Sequence, residues 1–433
     1  NGIANGPSTA FYFQRLRLKT DFVVSPGLTL TTRADIMERA WGAARTAAVG
    51  GFSLPGDLPG GMDTLSAGTR AENENIAFDW AYVTYVSSIG MFTAGYQQDR
   101  VWGTVFGDNS YPNAKITYTA KVGNLALGLQ AGKDNERSLT RQYASLNADN
   151  DRNFYNAFVR YGAKNWEAGI LFKYIDDRTQ RNDATGTVPF NSKAWALASI
   201  PYAKAKFGPV AVQTELTWNY GKIKAEEPMP AAFRNAIGGD TIDINGFAYW
   251  IDATADFNKF YVGGSIAFSS GDDPGTADKN EAGSGGGLDW QPCLIMFNSD
   301  RSYWVGDFAG YSTSRPLALG GNQATSNGGQ FTNGYLLQLR AGARPVDKFD
   351  IMASFTYALA DKTLASYNVG TTWEGRDYGY EVDLTGTYKI TNNLSYMLGG
   401  GYFFVGKYYK AETGTDHDVN DNFMIINKLT LTF

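Results

Sequence analysis

The sequence predicts an all-β chain: a single transmembrane up-and-down antiparallel β-barrel domain formed by residues 1–433. Three observations predict it. Apolar and polar residues alternate with period two over seventeen segments. The connectors between those segments alternate strictly between short and long, and aromatic residues gather toward segment ends on the apolar face. The first is the mark of a strand with one greasy and one wet face. The second is the layout of a meander crossing a bilayer, and the third is expected at the two membrane interfaces.

The first segment, residues 10–24, sets Leu16, Leu18, Phe22 and Val24 against Arg15, Arg17, Lys19 and Asp21. The same alternation recurs at 28–41, 73–88, 91–98, 114–122, 125–133, 152–161, 166–176, 192–207 and 209–221. It continues at 246–257, 259–270, 334–344, 349–360, 378–389, 394–406 and 422–433. Most of these approach the roughly 9–11 residues that carry a tilted strand across a bilayer. Helical three-four spacing is nowhere sustained.

Short connectors hold turn formers: Ser25-Pro26-Gly27, Ile89-Gly90, Gly123-Asn124, 162–165, Gly208, Asn258, 345–348 and 390–393. Long ones cover 43–72, 99–113, 134–151, 177–191, 222–245, 271–333, 361–377 and 408–421. In a soluble sandwich the apolar face points into a core and aromatics spread through it. Here Trp41, Phe78, Trp80, Tyr96, Tyr155, Trp166, Trp218, Tyr378, Tyr380 and Phe433 sit toward strand ends, as interfacial girdles do.

Several classes are excluded. The longest apolar run, 194–203, has ten residues and contains Pro201, too short for a spanning helix. With 38 basic and 43 acidic residues the net charge is −5, against a nucleic-acid partner. A lone cysteine, Cys293, excludes an internal disulfide and a Cys-rich metal centre. Runs 147–151 and 416–421 are oxygen-rich but lack a calcium-loop pattern, so no metal and no cofactor are expected. The single histidine, His417, offers no Ser–His arrangement, so no catalytic residue is assigned and no enzyme is expected.

The last strand, 422–433, alternates Leu429, Leu431 and Phe433 and ends on the aromatic. It resembles the C-terminal assembly signal of Gram-negative outer-membrane porins, and Arg15–Gly42 is similar to the early strands of porin and alginate-export-like barrels. The resemblance implies a water-filled diffusion channel in the bacterial outer membrane, in contact with lipid and lipopolysaccharide, as a homotrimer narrowed by an inward loop. Placing Phe433 at the periplasmic rim makes residues 10–24 descend from the long-loop side. Such barrels have even strand numbers, so the expectation is 18 strands in all, with one preceding Asn1.

With the polar face inward, the basic wall candidates are Arg15, Arg17, Lys19, Arg33, Arg39, Lys115, Lys121, Arg160, Lys173, Lys204, Lys206, Arg340, Arg344, Lys389 and Lys428. The acidic candidates are Asp21, Asp35, Asp79, Glu167, Glu215, Asp252, Asp256, Glu381 and Asp383. Fifteen against nine gives +6 for the wall, leaving 23 against 34, or −11, for loops and rims. A cationic ladder favours anions; mixed charge that only keeps the lumen hydrated is the alternative.

Loop 271–333 has 63 residues and twelve glycines, with an aromatic centre that needs burial. It is expected to fold into or over the pore as a constriction carrying Asp289, Trp290, Asp300, Arg301, Tyr303, Trp304 and Asp307. A cap on the outer rim, or a latch on a neighbouring subunit, is the rival. The functional expectation is passive passage of small hydrophilic solutes and ions. A substrate-specific channel for acidic solutes and a sleeve for a partner such as a cytochrome are the alternatives.

Overall fold

A computed structural model describes residues 10, 12–41, 76–136, 150–180, 192–225, 231–298, 330–363, 375–409, 411–412, 415–416 and 420–433. The alternating segments form long strands β1 (Phe13–Ser25), β2 (Leu28–Ala40), β3 (Ile76–Ser87), β4 (Gly90–Asp99), β5 (Tyr111–Val122) and β6 (Leu125–Asn135). They continue as β7 (Arg152–Gly162), β8 (Trp166–Asp177), β9 (Ser192–Phe207), β10 (Val210–Ala225), β11 (Thr241–Asp256) and β12 (Phe260–Ser269). After the two-residue β13 (Lys279–Asn280) come β14 (Gly334–Val346), β15 (Phe349–Ala360), β16 (Asp377–Lys389) and β17 (Leu394–Val405). A small hairpin of β18 (Ala411–Glu412) and β19 (Thr415–Asp416) precedes β20 (Asn422–Leu431).

Each long strand pairs antiparallel with the next, from β1 through β12 to β14 and on to β17 and β20. With β13, which adds in parallel to β11 at Asp243 and Ile244, they make one 18-stranded sheet. Among the described residues β1 pairs only with β2 and β20 only with β17, so these two strands are the sheet's edges, and both run from the long-connector rim to the short-turn rim. The seventeen long strands and the short-turn rim match the sequence reading.

Most apolar residues of the strands face out. Leu337, Leu339, Val382, Leu384, Leu398, Ile425 and Leu429 are exposed, while Gln338, Glu381 and Asp383, on the other face of the same strands, are buried. Such an inversion is stable only where the outer solvent is hydrocarbon and every backbone group is paired within the sheet. The layout, with an apolar outer band, a polar interior and connectors alternating short and long, is that of a bacterial outer-membrane β-barrel.

Two departures from the sequence reading are local. Segment 222–245 is not all connector: β10 runs to Ala225 and β11 starts at Thr241, making an overhanging hairpin with a helix, α1 (Ala231–Ile237), beyond it. Lys222 and Lys224 continue the outward parity of Trp218 and Tyr220 and make that face polar beyond the aromatic girdle, and seven helical residues are too few for a 3.6 period to show. Neither Trp80 nor Tyr378 joins the outer girdle. Arg33 pairs with Trp80 but Ala34 pairs with Phe78, so Asp79 is an extra residue in a β-bulge. The bulge turns both Asp79 and Trp80 to Arg33, while Phe78 stays exposed.

The buried apolar cluster lies inside the sheet. It joins Phe106, Trp290, Ile295, Met296, Phe297 and Phe331 to wall residues Trp250, Leu336, Ala358, Tyr378 and Phe403. Two connectors therefore fold inward, 101–110 between β4 and β5 and 284–298 after β13, and cover the inner face of β11–β17.

Candidate functional site: a charged wall facing an inward bridge

The wall from β1 to β8, which the inward segments touch through Trp102 at Phe158 on β7, is a ladder of paired charges. Arg17 holds Asp35 through two hydrogen bonds of 2.6 Å, Nε to Oδ1 and Nη2 to Oδ2. Its Nη2 also lies 3.8 Å from Asp79. Arg33 donates from Nε to Asp79 at 3.0 and 2.9 Å, with a further Nη2 contact, and its guanidinium carbon sits 3.6 Å from the centroid of Trp80. Lys19 is 3.3 Å from Asp21, which accepts the Thr31 hydroxyl at 2.6 Å. Arg15 is exposed on the same strand.

Along the wall, Lys115 meets Asp99 at 2.7 Å, and Lys173 reaches the same carboxylate at 3.8 Å with its ammonium over Phe154. Asp134 lies between Arg100, at 3.6 Å, and Arg152, at 3.3 Å. Asp99, Arg100, Asp134 and Arg152 are absent from the sequence-based list. Asp99 was legible: it continues the parity of Thr93 and Gln97 by one more step, and all three are buried.

Arg340 is the hub of the opposite wall, donating to Asp252 at 2.6 Å, Ser265 at 2.8 Å, Thr254 at 2.9 Å and Gln338 at 3.0 Å. Arg344 sits at the short-turn rim between Asp256 and Asp350, each at 2.9 Å, over the Tyr261 ring. Arg160 is 3.9 Å from Glu167, which accepts the Tyr202 hydroxyl at 2.6 Å. Lys121 is exposed at the short-turn rim, with no ion-pair partner among the described residues. The side chain of Arg39 lies outside the described residues, as do Asp300, Arg301, Tyr303, Trp304, Asp307 and His417.

Segment 101–110 closes on itself: Asn109 N–H donates to the Arg100 carbonyl at 2.9 Å and Trp102 N–H to Asp108 Oδ1 at 2.7 Å. Its Trp102 indole donates to the Ile200 carbonyl at 2.8 Å and packs between Phe158 and Tyr202. Gly103 has φ of 66°, and a Cβ there would meet the Tyr202 ring at 2.6 Å, so only glycine fits. Thr104 then donates to one oxygen of the buried Glu215 twice, from N–H at 2.7 Å and from Oγ1 at 2.9 Å.

Segment 284–298 docks on this loop and on the far wall. Gly287 N–H donates to the Phe106 carbonyl at 2.5 Å, Asp289 N–H to the Asp108 carbonyl at 3.0 Å and Leu288 N–H to Asn109 Oδ1 at 3.1 Å. Trp290 is buried edge-on to Phe106, with ring centroids 5.1 Å apart, whereas Asp289 is exposed. Beyond it, Ile295 and Met296 N–H groups donate to Glu381 at 2.7 and 2.6 Å, and Leu294 N–H to Asp383 at 3.2 Å. The two segments thus form one bridge from Glu215 on β10 to Glu381 on β16.

Two groups of the bridge have displaced acidities. Burial, opposed by the Trp102 N–H and reinforced by the charge of Asp289, pushes the Asp108 carboxyl up to about 7. Burial first, then the neighbouring Glu381 and Asp383 carboxylates, pushes the Cys293 thiol up.

No family profile matches the chain, and no curated protein does. Among solved structures it is similar to Pseudomonas aeruginosa OccK1 (OpdK), at 12% identity over 97% of this chain and 91% of that one, with a TM-score of 0.49. It is similar to P. aeruginosa OccK8 (OprE), at 12% identity, 96% and 91% coverage and a TM-score of 0.47. OccK11 (OpdR) of the same organism gives 11% identity, 98% and 94% coverage and a TM-score of 0.44.

Proposed function

We propose that the chain forms a water-filled outer-membrane channel for small hydrophilic solutes and ions, with a preference for anions. One observation carries the preference. Glu215, Glu381 and Asp383 are occupied by backbone N–H groups of the inward bridge, while Arg15, Arg17, Lys19 and Arg33 stand on the wall that the bridge leaves uncovered. The bridge covers these three carboxylates; with Asp99, Asp134, Arg100 and Arg152 added to the wall, eight acidic residues then stand against seventeen basic candidates. The field inside a low-dielectric wall then favours negative solutes at the eyelet.

In this reading 284–298, with Asp289 and Trp290, is the inner part of the constriction. Reversal potential in a salt gradient across a planar bilayer tests the preference, and cation selectivity would overturn it. Deleting 284–312 is expected to raise single-channel conductance. A second reading, a channel specific for acidic solutes, is favoured by Arg33 stacked on Trp80, a guanidinium and a flat apolar surface presented together. Saturable flux of one class of organic anion would distinguish it from general diffusion. A sleeve for a cytochrome needs a clear lumen, which the bridge narrows. A homotrimer, as the porin resemblance implies, is tested by native mass.

A further inference from the structure

We propose that Cys293, Glu381 and Asp383 form a binding site for a divalent transition-metal ion of the zinc class, stapling the inward bridge to the wall. The sulfur and one oxygen from each carboxylate lie within 4.8 Å of one another, and all three residues are buried. Four of the groups around them are already committed. Both Glu381 oxygens accept N–H groups, from Ile295 and Met296, and Asp383 Oδ2 accepts Leu294 N–H and faces Ser354 Oγ at 3.4 Å.

The remaining oxygen, Asp383 Oδ1, is buried without a hydrogen-bond partner, on a residue only 4% exposed. It converges with Glu381 Oε1 on the space beside Gly401, where a Cβ would stand 2.5 Å from Oδ1 and 3.4 Å from Oε1. Neither carboxylate takes part in an ion pair among the described residues. Two carboxylates this close in a dry interior are compatible only when they share a proton or a cation, and a divalent ion between them would take the place of the shared proton. The backbone donors on their outer oxygens hold the ligands in place, as outer-shell partners of metal sites do.

Sulfur decides the class of ion. A thiolate beside two carboxylates suits zinc and its neighbours rather than calcium or magnesium, which take oxygen alone. Zn–S of about 2.3 Å and Zn–O of about 2.0–2.2 Å would draw the ligand atoms to about 3.6 Å apart, a small rotation of side chains. The fourth position falls to the Thr356 hydroxyl beside Cys293, or to water. Binding replaces the thiol proton and the shared carboxyl proton: Cys293–SH, the protonated Glu381–Asp383 pair and M²⁺ give the metal thiolate–dicarboxylate, with H⁺ released from the thiol and from the pair. This site stands apart from ion selectivity, since its occupancy is measured on the protein itself.

The test uses the full chain folded in detergent, stripped with chelator, equilibrated with Zn²⁺ or Co²⁺ and desalted. The expected result is one metal per chain by elemental analysis, a thiolate-to-cobalt charge-transfer band, and alkylation of Cys293 slowed about tenfold or more by Zn²⁺. Cys293→Ser, close to isosteric, is expected to lose the band and bind Zn²⁺ at least about tenfold more weakly; Asp383→Asn is expected to weaken binding similarly. Wild-type protein that keeps no more metal than Cys293→Ser, or bound Co²⁺ without the band, overturns the proposal.

Discussion

Replacing Glu215 by alanine tests whether the inward bridge is held by its buried carboxylate anchors. Glu215 is 1% exposed and accepts two hydrogen bonds from Thr104, at 2.7 and 2.9 Å. Its loss leaves a buried N–H and a buried hydroxyl without an acceptor, each worth about 1–3 kcal/mol. Docking of 101–110 on β10 should therefore weaken by about 2–6 kcal/mol, at least about 30-fold in its opening equilibrium. Glu215→Gln is the control. One amide oxygen can still take both Thr104 bonds, but the amide NH2 cannot accept from the Gly107 backbone that faces the other oxygen, so charge assistance and that contact are lost, about 1–3 kcal/mol. Hydrogen exchange at the Thr104 amide reads the opening directly, and single-channel recording reads it as noise or a higher conductance state. The order expected is wild type, then Gln, then Ala. An Ala variant with wild-type Thr104 protection and wild-type conductance would refute the anchoring argument.

Three further outcomes are expected. The Asp108 carboxyl, pushed up to about 7, stabilises the bridge in its neutral form. That contribution is complete below the ordinary value of 3.8 and is lost as pH rises through about 7, so amide protection in 101–110, corrected for the intrinsic rise of exchange with pH, should fall between about pH 6 and 8, and Asp108→Asn should abolish that fall. Phe106→Ala empties a site that is 0% exposed; it should cost about 3–5 kcal/mol, since the lost ring is stacked on Trp250 and meets Trp290 edge-on, and loosen both segments, seen as lost protection at Gly287 and Asp289. Arg33→Ala frees Asp79 and removes a cation from the uncovered wall, so the reversal potential should move toward cations; an unmoved potential would place the selectivity elsewhere.

The strands were legible because period two is written residue by residue; the reading of 192–207 and 349–360 coincides with β9 and β15 at both ends. What broke the parity was inserted residues, Asp79 in β3 and Tyr378 in β16, where Ala358 pairs with Gly379 but Leu359 pairs with Asp377 and the Tyr378 ring turns inward. At Asp79 the bulge sends Trp80 inward, and nothing in the local run of Phe78, Asp79, Trp80 and Ala81 marks the insertion. The lumen-facing identity of Glu215 and Glu381 was also legible, but not their partners. Thr104 is 111 positions from Glu215 and Ile295 is 86 from Glu381, and such proximity comes from the closing of the whole sheet. Segment 101–110 carried the same cue used for the later loop, Trp102 and Phe106 among glycines in a long connector, at a shorter length. Aromatics with no strand to sit on need somewhere to be buried, and the lumen is where both segments put them.

The bridge also has a mechanical meaning. Running from β10 to β16, it is a spoke on one side of a thin-walled tube, so lateral pressure from the bilayer there is carried by packed rings and hydrogen bonds rather than by the curvature of the sheet alone. The arc from β1 to β6 has no spoke, and its stiffness against flattening comes from neighbouring strands and from guanidinium–carboxylate rungs such as Arg17–Asp35 and Arg33–Asp79. High salt, which screens the half-exposed Lys19–Asp21 rung but leaves the buried Arg33 and Lys115 rungs in place, should therefore soften that arc only a little.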